Sequence, residues 1–235
     1  DRRHGNYEVF FTLLDKDGGR ILPDIRLSNG VGFSVNVDLA YNGSEFIVAW
    51  QDNRSGMFEV LARRVSVDGA PVGEEVQLSS PGGFEDEAPR IASGNKTIGL
   101  VYANGQAGLQ VIRFRTFEQT TLKPVSDVIT LTDGNSQAVY PTLIWNEDHY
   151  MVAWYDRSAP VKGIYGTTLD EDGKVLVAPT ALSEPGSNHS RYPTLLPLGD
   201  RALVIYSDDR DGNQGYELYT RMVDTKLMPL SKEER

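Results

Sequence analysis

Apolar residues along this chain fall into short runs that come in pairs. The stretches VDLAYNGSEFIVAW (from Val37), PRIASGNKTIGLVY (from Pro89), PTLIWNEDHYMVAW (from Pro141) and PTLLPLGDRALVIY (from Pro193) align without a gap. Their closing aromatics, Trp50, Tyr102, Trp154 and Tyr206, therefore recur every 52 residues. Each stretch predicts a short apolar strand, a polar turn (Asn42-Gly43, Gly94-Asn95, Glu147-Asp148, Gly199-Asp200) and a second strand that is almost wholly apolar. A continuous apolar run of five or six residues between turn signals is the pattern of a strand buried on both faces.

The remainder of each unit recurs too. A strand such as EVFFTLLD, EVLARRVS, GIYGTTLD or ELYTRMVD runs into a turn, and in three copies that turn is Asp-Gly: Asp17-Gly18, Asp68-Gly69 and Asp172-Gly173. Asp-Gly favours the positive φ that tight hairpins need. A last strand then closes on Leu followed by a hydroxyl residue, at Leu27-Ser28, Leu78-Ser79, Leu131-Thr132, Leu182-Ser183 and Leu230-Ser231. Four antiparallel strands per ~50 residues with no helical period predict an all-β chain, a β-propeller of four-stranded blades. The expected division is an outer hairpin of a first blade at 1–35, then blades at 36–86, 87–138, 139–190 and 191–235, about five in all. The inner strand pair of the first blade is not in the sequence. That leaves Val9, Phe10 and Leu13 on an open edge, for which the sequence offers three outcomes: an upstream segment, a partner chain that supplies the strands, or a small propeller with an irregular closure.

Composition narrows the partners. With 33 acidic against 23 basic residues the formal net charge is −10, which argues against nucleic acid or an anionic membrane surface. There is no cysteine, so neither a disulfide framework nor a thiolate zinc site is expected. No apolar run approaches the ~20 residues of a membrane span, and no signal peptide is expected from the opening residues.

Loops after the second strand carry a further repeat: Asp1-Arg2-Arg3-His4-Gly5-Asn6, Asp52-Asn53-Arg54-Ser55-Gly56 and Asp208-Asp209-Arg210-Asp211-Gly212-Asn213, each leading to Glu and an apolar strand. This D-x-R-x-G-N-x-E pattern resembles the blade repeat of TolB-like and other secreted bacterial propellers. It departs in the third unit, at Asn104-Gly105-Gln106, and in part at Asp156-Arg157 in the fourth. The resemblance implies an extracytoplasmic protein, secreted, periplasmic or at the cell surface, whose propeller binds another macromolecule. For the Asp-x-Arg pairs the sequence suggests a structural task, with Asp capping the turn and Arg pairing with the next Glu, as Arg54 with Glu59. The sialidase-type Asp box is missing from the sequence.

Positions that break the repeat are the better candidates for a site, because variable loops on a rigid scaffold carry function. Tyr140 and Tyr192 precede the prolines that open innermost strands and are expected near the channel mouth, together with Arg191, Arg90 and Asp38. Tyrosine and arginine are favoured anchors of recognition surfaces. Asp209, Asp211, Asn213 and Glu217 offer oxygens at alternating positions, so calcium is the one cofactor to consider, although Gln214 stands where an EF-hand loop needs glycine. Hydrolysis would need two carboxylates at a set separation, and Asp38, Glu85, Asp86 and Glu87 lie at or near strand entries. His4, His149 and His189 are scattered over different units. The reading these features favour is a non-catalytic module that binds a glycan or protein through the loop face. A glycoside hydrolase is the second reading. The third is a structural subunit that docks by strand addition.

Overall fold

The computed structural model describes residues 1–3, 5–80, 82–106, 108–159, 161–184, 190–210 and 215–235, and every helix or strand element within them is a β-strand. Among the described residues no helix is long and apolar enough to cross a membrane. Two units are distinguished, Asp1–Pro89 and Arg90–Arg235.

In the first unit β1 (Phe10–Phe11) and β2 (Ile25–Arg26) form an antiparallel hairpin, with Phe10 opposite Arg26. A four-stranded sheet follows, β3 (Ser34–Tyr41), β4 (Glu45–Asp52), β5 (Glu59–Ser66) and β6 (Pro71–Gln77), in that order. Val9 and Leu27 of the hairpin pack with Val48, Trp50, Leu61 and Val65 of the sheet.

The next sheet holds β7 (Glu85–Ser93), within which the division between units falls, then β8 (Thr97–Gln106), β9 (Leu109–Glu118) and β10 (Ile129–Thr130). β11 (Ala138–Asn146), β12 (His149–Asp156), β13 (Gly163–Leu169) and β14 (Val175–Ala181) make a third four-stranded sheet. β15 (Arg191–Pro197), β16 (Arg201–Asp208) and β17 (Glu217–Asp224) make the last, where single bridges from Val223 to Pro229 and Thr220 to Glu234 stand in for a fourth strand. These sequentially ordered antiparallel sheets are the blades of a β-propeller. The continuous apolar runs are explained by burial: β12 is buried along its whole length, and β8 everywhere except Gln106. Trp50, Tyr102, Trp154 and Tyr206 are all fully buried.

The Leu-Ser/Thr signature has a backbone reason. In each blade the Leu N–H donates to a carbonyl of the third strand: Leu27 to Val9, Leu78 to Val60, Leu131 to Ile112, Leu182 to Ile164 and Leu230 to Met222. The hydroxyl that follows accepts the N–H of that same residue, as Ser28 from Val9 (2.9 Å), Ser79 from Val60 (2.9 Å) and Ser183 from Ile164 (2.9 Å). A hydroxyl thus replaces the backbone acceptor where the outermost strand turns away, so no buried N–H is left unpaired. The Asp-Gly turns behave as their sequence requires, with Gly18, Gly69 and Gly173 each at φ 83°.

Candidate functional site

The Asp-x-Arg loops close blades. Arg54 donates to both oxygens of Asp52, at the end of β4, through Nε (2.7 Å) and Nη2 (2.7 Å), and Nη1 reaches Glu75 on β6. Arg210 does the same with Asp208 at the end of β16 and with Glu233 (2.5 Å). Arg3 bridges Asp1 and Asp24. The sequence expectation that Arg54 pairs with Glu59 is therefore corrected: Glu59 accepts from Ser55, and Arg54 ties the second strand to the fourth. Ser34 and Ser190 donate to the same carboxylates, Asp52 (2.7 Å) and Asp208 (2.6 Å). Burial acts to raise both carboxyls, but hydrogen bonds from Arg54 and Ser34 to Asp52, and from Arg210 and Ser190 to Asp208, outweigh it and hold them below the ordinary range.

The fourth blade departs from this scheme. Ala138 replaces the serine and Ser158 replaces the arginine. Asp156 still caps its turn, its Oδ1 accepting from Ser158 N (2.9 Å), Ser158 Oγ (2.7 Å) and Ala159 N (3.0 Å), but no arginine returns to it among the described residues. Trp50 Nε1 donates to Asp52 (3.1 Å), whereas Trp154 Nε1, at the equivalent place, is buried without an acceptor among the described residues. Arg157 next door makes no ion pair among them either.

Strands β3, β7, β11 and β15 each enter through a residue with left-handed backbone: Asn36 (φ 52°), Ala88 (51°), Tyr140 (56°) and Tyr192 (51°). In β3, β11 and β15 the pairing register slips at that point, between Val35 and Asp38, Val139 and Thr142, and Arg191 and Thr194. These are β-bulges, which re-aim side chains at sheet rims. Proline or valine follows each one, and proline suits a position with no ladder bond to donate. The bulge belongs to the repeat; its occupant does not. Asn36 reaches Gln51 Oε1 (2.7 Å), which also accepts from Ala88 N (2.9 Å), but a tyrosine has no conformational reason to be left-handed.

In the second unit the structure gathers Tyr140, Tyr192 and Arg191 and adds Tyr155, Arg157 and Tyr216. The rings of Tyr140 and Tyr192 lie 4.5 Å apart at 41°, against each other, with Tyr192 61% exposed. Arg191 lies over the Tyr216 ring at 4.9 Å, and Arg157 over Tyr155 at 5.8 Å. Burial, then the adjacent Tyr192 hydroxyl, push the Tyr140 phenol up, while Arg157 and Arg191 pull it down. Burial likewise raises Tyr155, again against both arginines. Asp38 stands two residues past the bulge of β3 in the first unit, and Arg90 at the matching position of β7; both are half-buried and engaged with partners. Arg157 and Tyr155 were missed in the sequence because they sit beside the loop that the repeat had marked as structural. The replacement of Ser and Arg by Ala138 and Ser158 was the signal available.

Of the calcium set, Asp211 and Asn213 lie outside the described residues, Asp209 has a partner, and Glu217 accepts from Arg235 (2.5 Å). Among the described residues no group of three or more His, Cys, Asp or Glu could hold a metal. Of the strand-entry carboxylates, Glu85 accepts from Phe58 N (2.5 Å) and Asp86 is buried.

No family model matches the chain, and no curated protein matches it. Solved structures do. The native arabinanase of Bacillus subtilis is 16% identical with a TM-score of 0.56, over 84% of this chain and 75% of that one. An exo-1,5-α-L-arabinanase from a bovine ruminal metagenomic library is 16% identical with a TM-score of 0.52, over 86% and 77%. An endo-arabinase from Bacteroides thetaiotaomicron is 12% identical with a TM-score of 0.52, over 97% and 82%. At these identities the likeness is one of fold. It corrects two expectations. The TolB-like resemblance rested on the Asp-x-Arg loop, which closes a blade and so marks blade geometry, whereas the matching folds are glycoside-hydrolase propellers. The expectation of a non-catalytic binding module is likewise overturned by the solved structures that share the fold, which are named as arabinanases.

Proposed function

We propose that this chain hydrolyses glycosidic bonds. The observation that carries the reading is the Tyr140–Tyr192 pair, two aromatic rings held on left-handed bulges at strand entries of a fold shared with arabinanases. A sugar presents an apolar face of C–H bonds, and an exposed tyrosine ring covers such a face with little rotamer entropy to lose. Left-handed backbone at a bulky residue costs on the order of 1–3 kcal/mol and persists where the surrounding structure imposes it.

Hydrolysis requires two carboxylates, one to protonate the leaving oxygen and one to activate water or attack the anomeric carbon. Carboxylates at strand ends and entries outside the blade-closing clamps include Asp38 and Glu87 in the first unit and Asp156 and Asp209 in the second. Release of reducing ends from arabinan, other polymeric glycans and aryl glycosides tests the reading, with Asp38→Asn, Glu87→Gln, Asp156→Asn and Asp209→Asn assayed singly. Loss of a catalytic acid or base lowers kcat by about 10²–10⁴-fold. Both variants of one unit should fall in that range while melting like the parent. A parent chain that releases nothing from any substrate overturns the reading. Action outside the cytoplasm belongs to the same proposal, since polymeric glycans are met there.

A further inference from the structure

We propose that the substrate is an acidic glycan, a uronic-acid-bearing saccharide whose carboxylate is held by Arg157 and Arg191 while its ring lies on the Tyr140–Tyr192 pair. The proposal rests on the hydrolase reading and names the substrate class of that site.

The argument begins with charge pairing. Arg3, Arg54 and Arg210 are each neutralised by two carboxylates. Arg157 and Arg191 have none among the described residues, although the chain carries ten more acidic than basic groups. Arg191 immediately precedes Tyr192 in β15, and the Arg157 N–H donates to Gln137 O (3.2 Å), three residues before Tyr140, so both arginines flank the paired rings. Of the acidic groups that bear on Tyr155, Asp208 is committed to Arg210 and Ser190, and Asp209 has its own partner.

Arg191 Nε, like Arg26 Nε and Arg113 Nε, is buried and without an acceptor among the described residues, and it lies beside the exposed Tyr192 and Tyr216. Buried donors are nearly always paired, so an unpaired one beside exposed aromatic rings calls for an acceptor supplied from outside. The tyrosine rings leave guanidinium edges as the hydrogen-bonding part of the cluster, since Arg191 is stacked on Tyr216 and Arg157 on Tyr155. Guanidinium edges match the planar carboxylate in a bidentate fork, and two positive groups without a longer basic stripe do not suit a polyphosphate backbone. A carboxylate borne on a stacking sugar ring meets both demands at once.

Calorimetric titration of the intact chain with trigalacturonate, its methyl ester and arabinotriose tests this, with cleavage of each measured separately. The free acid should bind at least about tenfold more tightly than the ester, the margin of one good charge-assisted contact. Arg191→Gln and, independently, the exposed Arg157→Gln should each abolish most of that margin. Equal affinity for acid and ester, or variants that bind the acid like the parent, would overturn the proposal, as would tighter binding of a sulfated trisaccharide. Cleavage of arabinotriose without any preference for acid sinks this inference and leaves the hydrolase reading standing. Arginine-dependent binding of the acid with no cleavage of any glycan sinks the hydrolase reading instead.

Discussion

Asp208 illustrates how one side chain couples sequence repeat to stability. It accepts from Arg210 and Ser190 while fully buried, and Arg210 carries the charge on to Glu233. Removing the arginine leaves two buried carboxylates without the countercharge they share, although Ser190 and Tyr206 still donate to them. Exposed pairs contribute about 0–1 kcal/mol and broken buried pairs cost about 3–5 kcal/mol, so Arg210→Gln, in this partly buried clamp, should cost about 2–3 kcal/mol in urea unfolding. The same clamp sets an acid limit. Because the folded-state pKa of Asp208 lies below its ordinary 3.8, its contribution is complete above that value and drains as pH falls through the lowered one. Stability measured from pH 5 downward should therefore fall less steeply in Asp208→Asn than in the parent; parallel curves would refute the linkage. Tyr192 belongs to the other kind of residue, exposed and absent from the core. Tyr192→Ala should leave unfolding within about 0.5 kcal/mol, as surface changes do, while raising KM for glycan. An unchanged KM would remove Tyr192 from the site.

At the scale of strands, the repeat made the hairpins legible and left the rims unreadable. Alternation of apolar pairs, Asp-Gly turns and Leu-Ser closures each have a backbone cause that acts on the sequence directly, so they could be read from it. The bulges could not, because left-handed φ at Asn36, Ala88, Tyr140 and Tyr192 has no common side-chain signature. Only their 52-residue spacing links them. This yields a test at Ala88. Glycine adopts left-handed φ freely where alanine pays about 1–2 kcal/mol, and loses about 0.5–1 kcal/mol elsewhere in chain entropy. Ala88→Gly should accordingly stabilise by about 0.5–1 kcal/mol, whereas the same change inside a regular strand destabilises. The packing between the third and fourth blades is tight in a way the sequence also hid. A Cβ on Gly99 of β8 would stand 2.6 Å from the Tyr150 ring, whose hydroxyl donates to Thr97 O (2.8 Å). Gly99→Ala should cost about 1–3 kcal/mol through overpacking, read as a lower urea midpoint. Tyr150→Phe, which keeps the ring, should not relieve it.

For the molecule as a whole, motif and architecture gave opposite indications of kinship. The Asp-x-Arg loop recurs in blades where an arginine ties the end of the second strand to the fourth, as Arg54 does, so it marks blade geometry, whereas the likeness of the whole fold is to arabinanases. Net charge acts at the same scale. A chain at −10 repels polyanions out to about 8–10 Å, the Debye length at moderate salt, yet the Arg157–Arg191 pair attracts a carboxylate at contact. The two effects respond oppositely to salt. Raising ionic strength screens the long-range repulsion and weakens the exposed part of the contact, while a bidentate bond to a partly buried guanidinium is screened less. Binding of trigalacturonate should consequently weaken by less than about threefold between 20 and 150 mM salt, against about 10³–10⁵-fold between 50 and 200 mM salt for proteins that make six to ten contacts with nucleic-acid phosphates. A loss greater than tenfold would mean that a diffuse basic surface holds the ligand and would count against a local contact. Insensitivity to salt combined with sensitivity to Arg191→Gln is the signature of a local, desolvated contact, and it would fix the carboxylate at the Tyr140–Tyr192 rim.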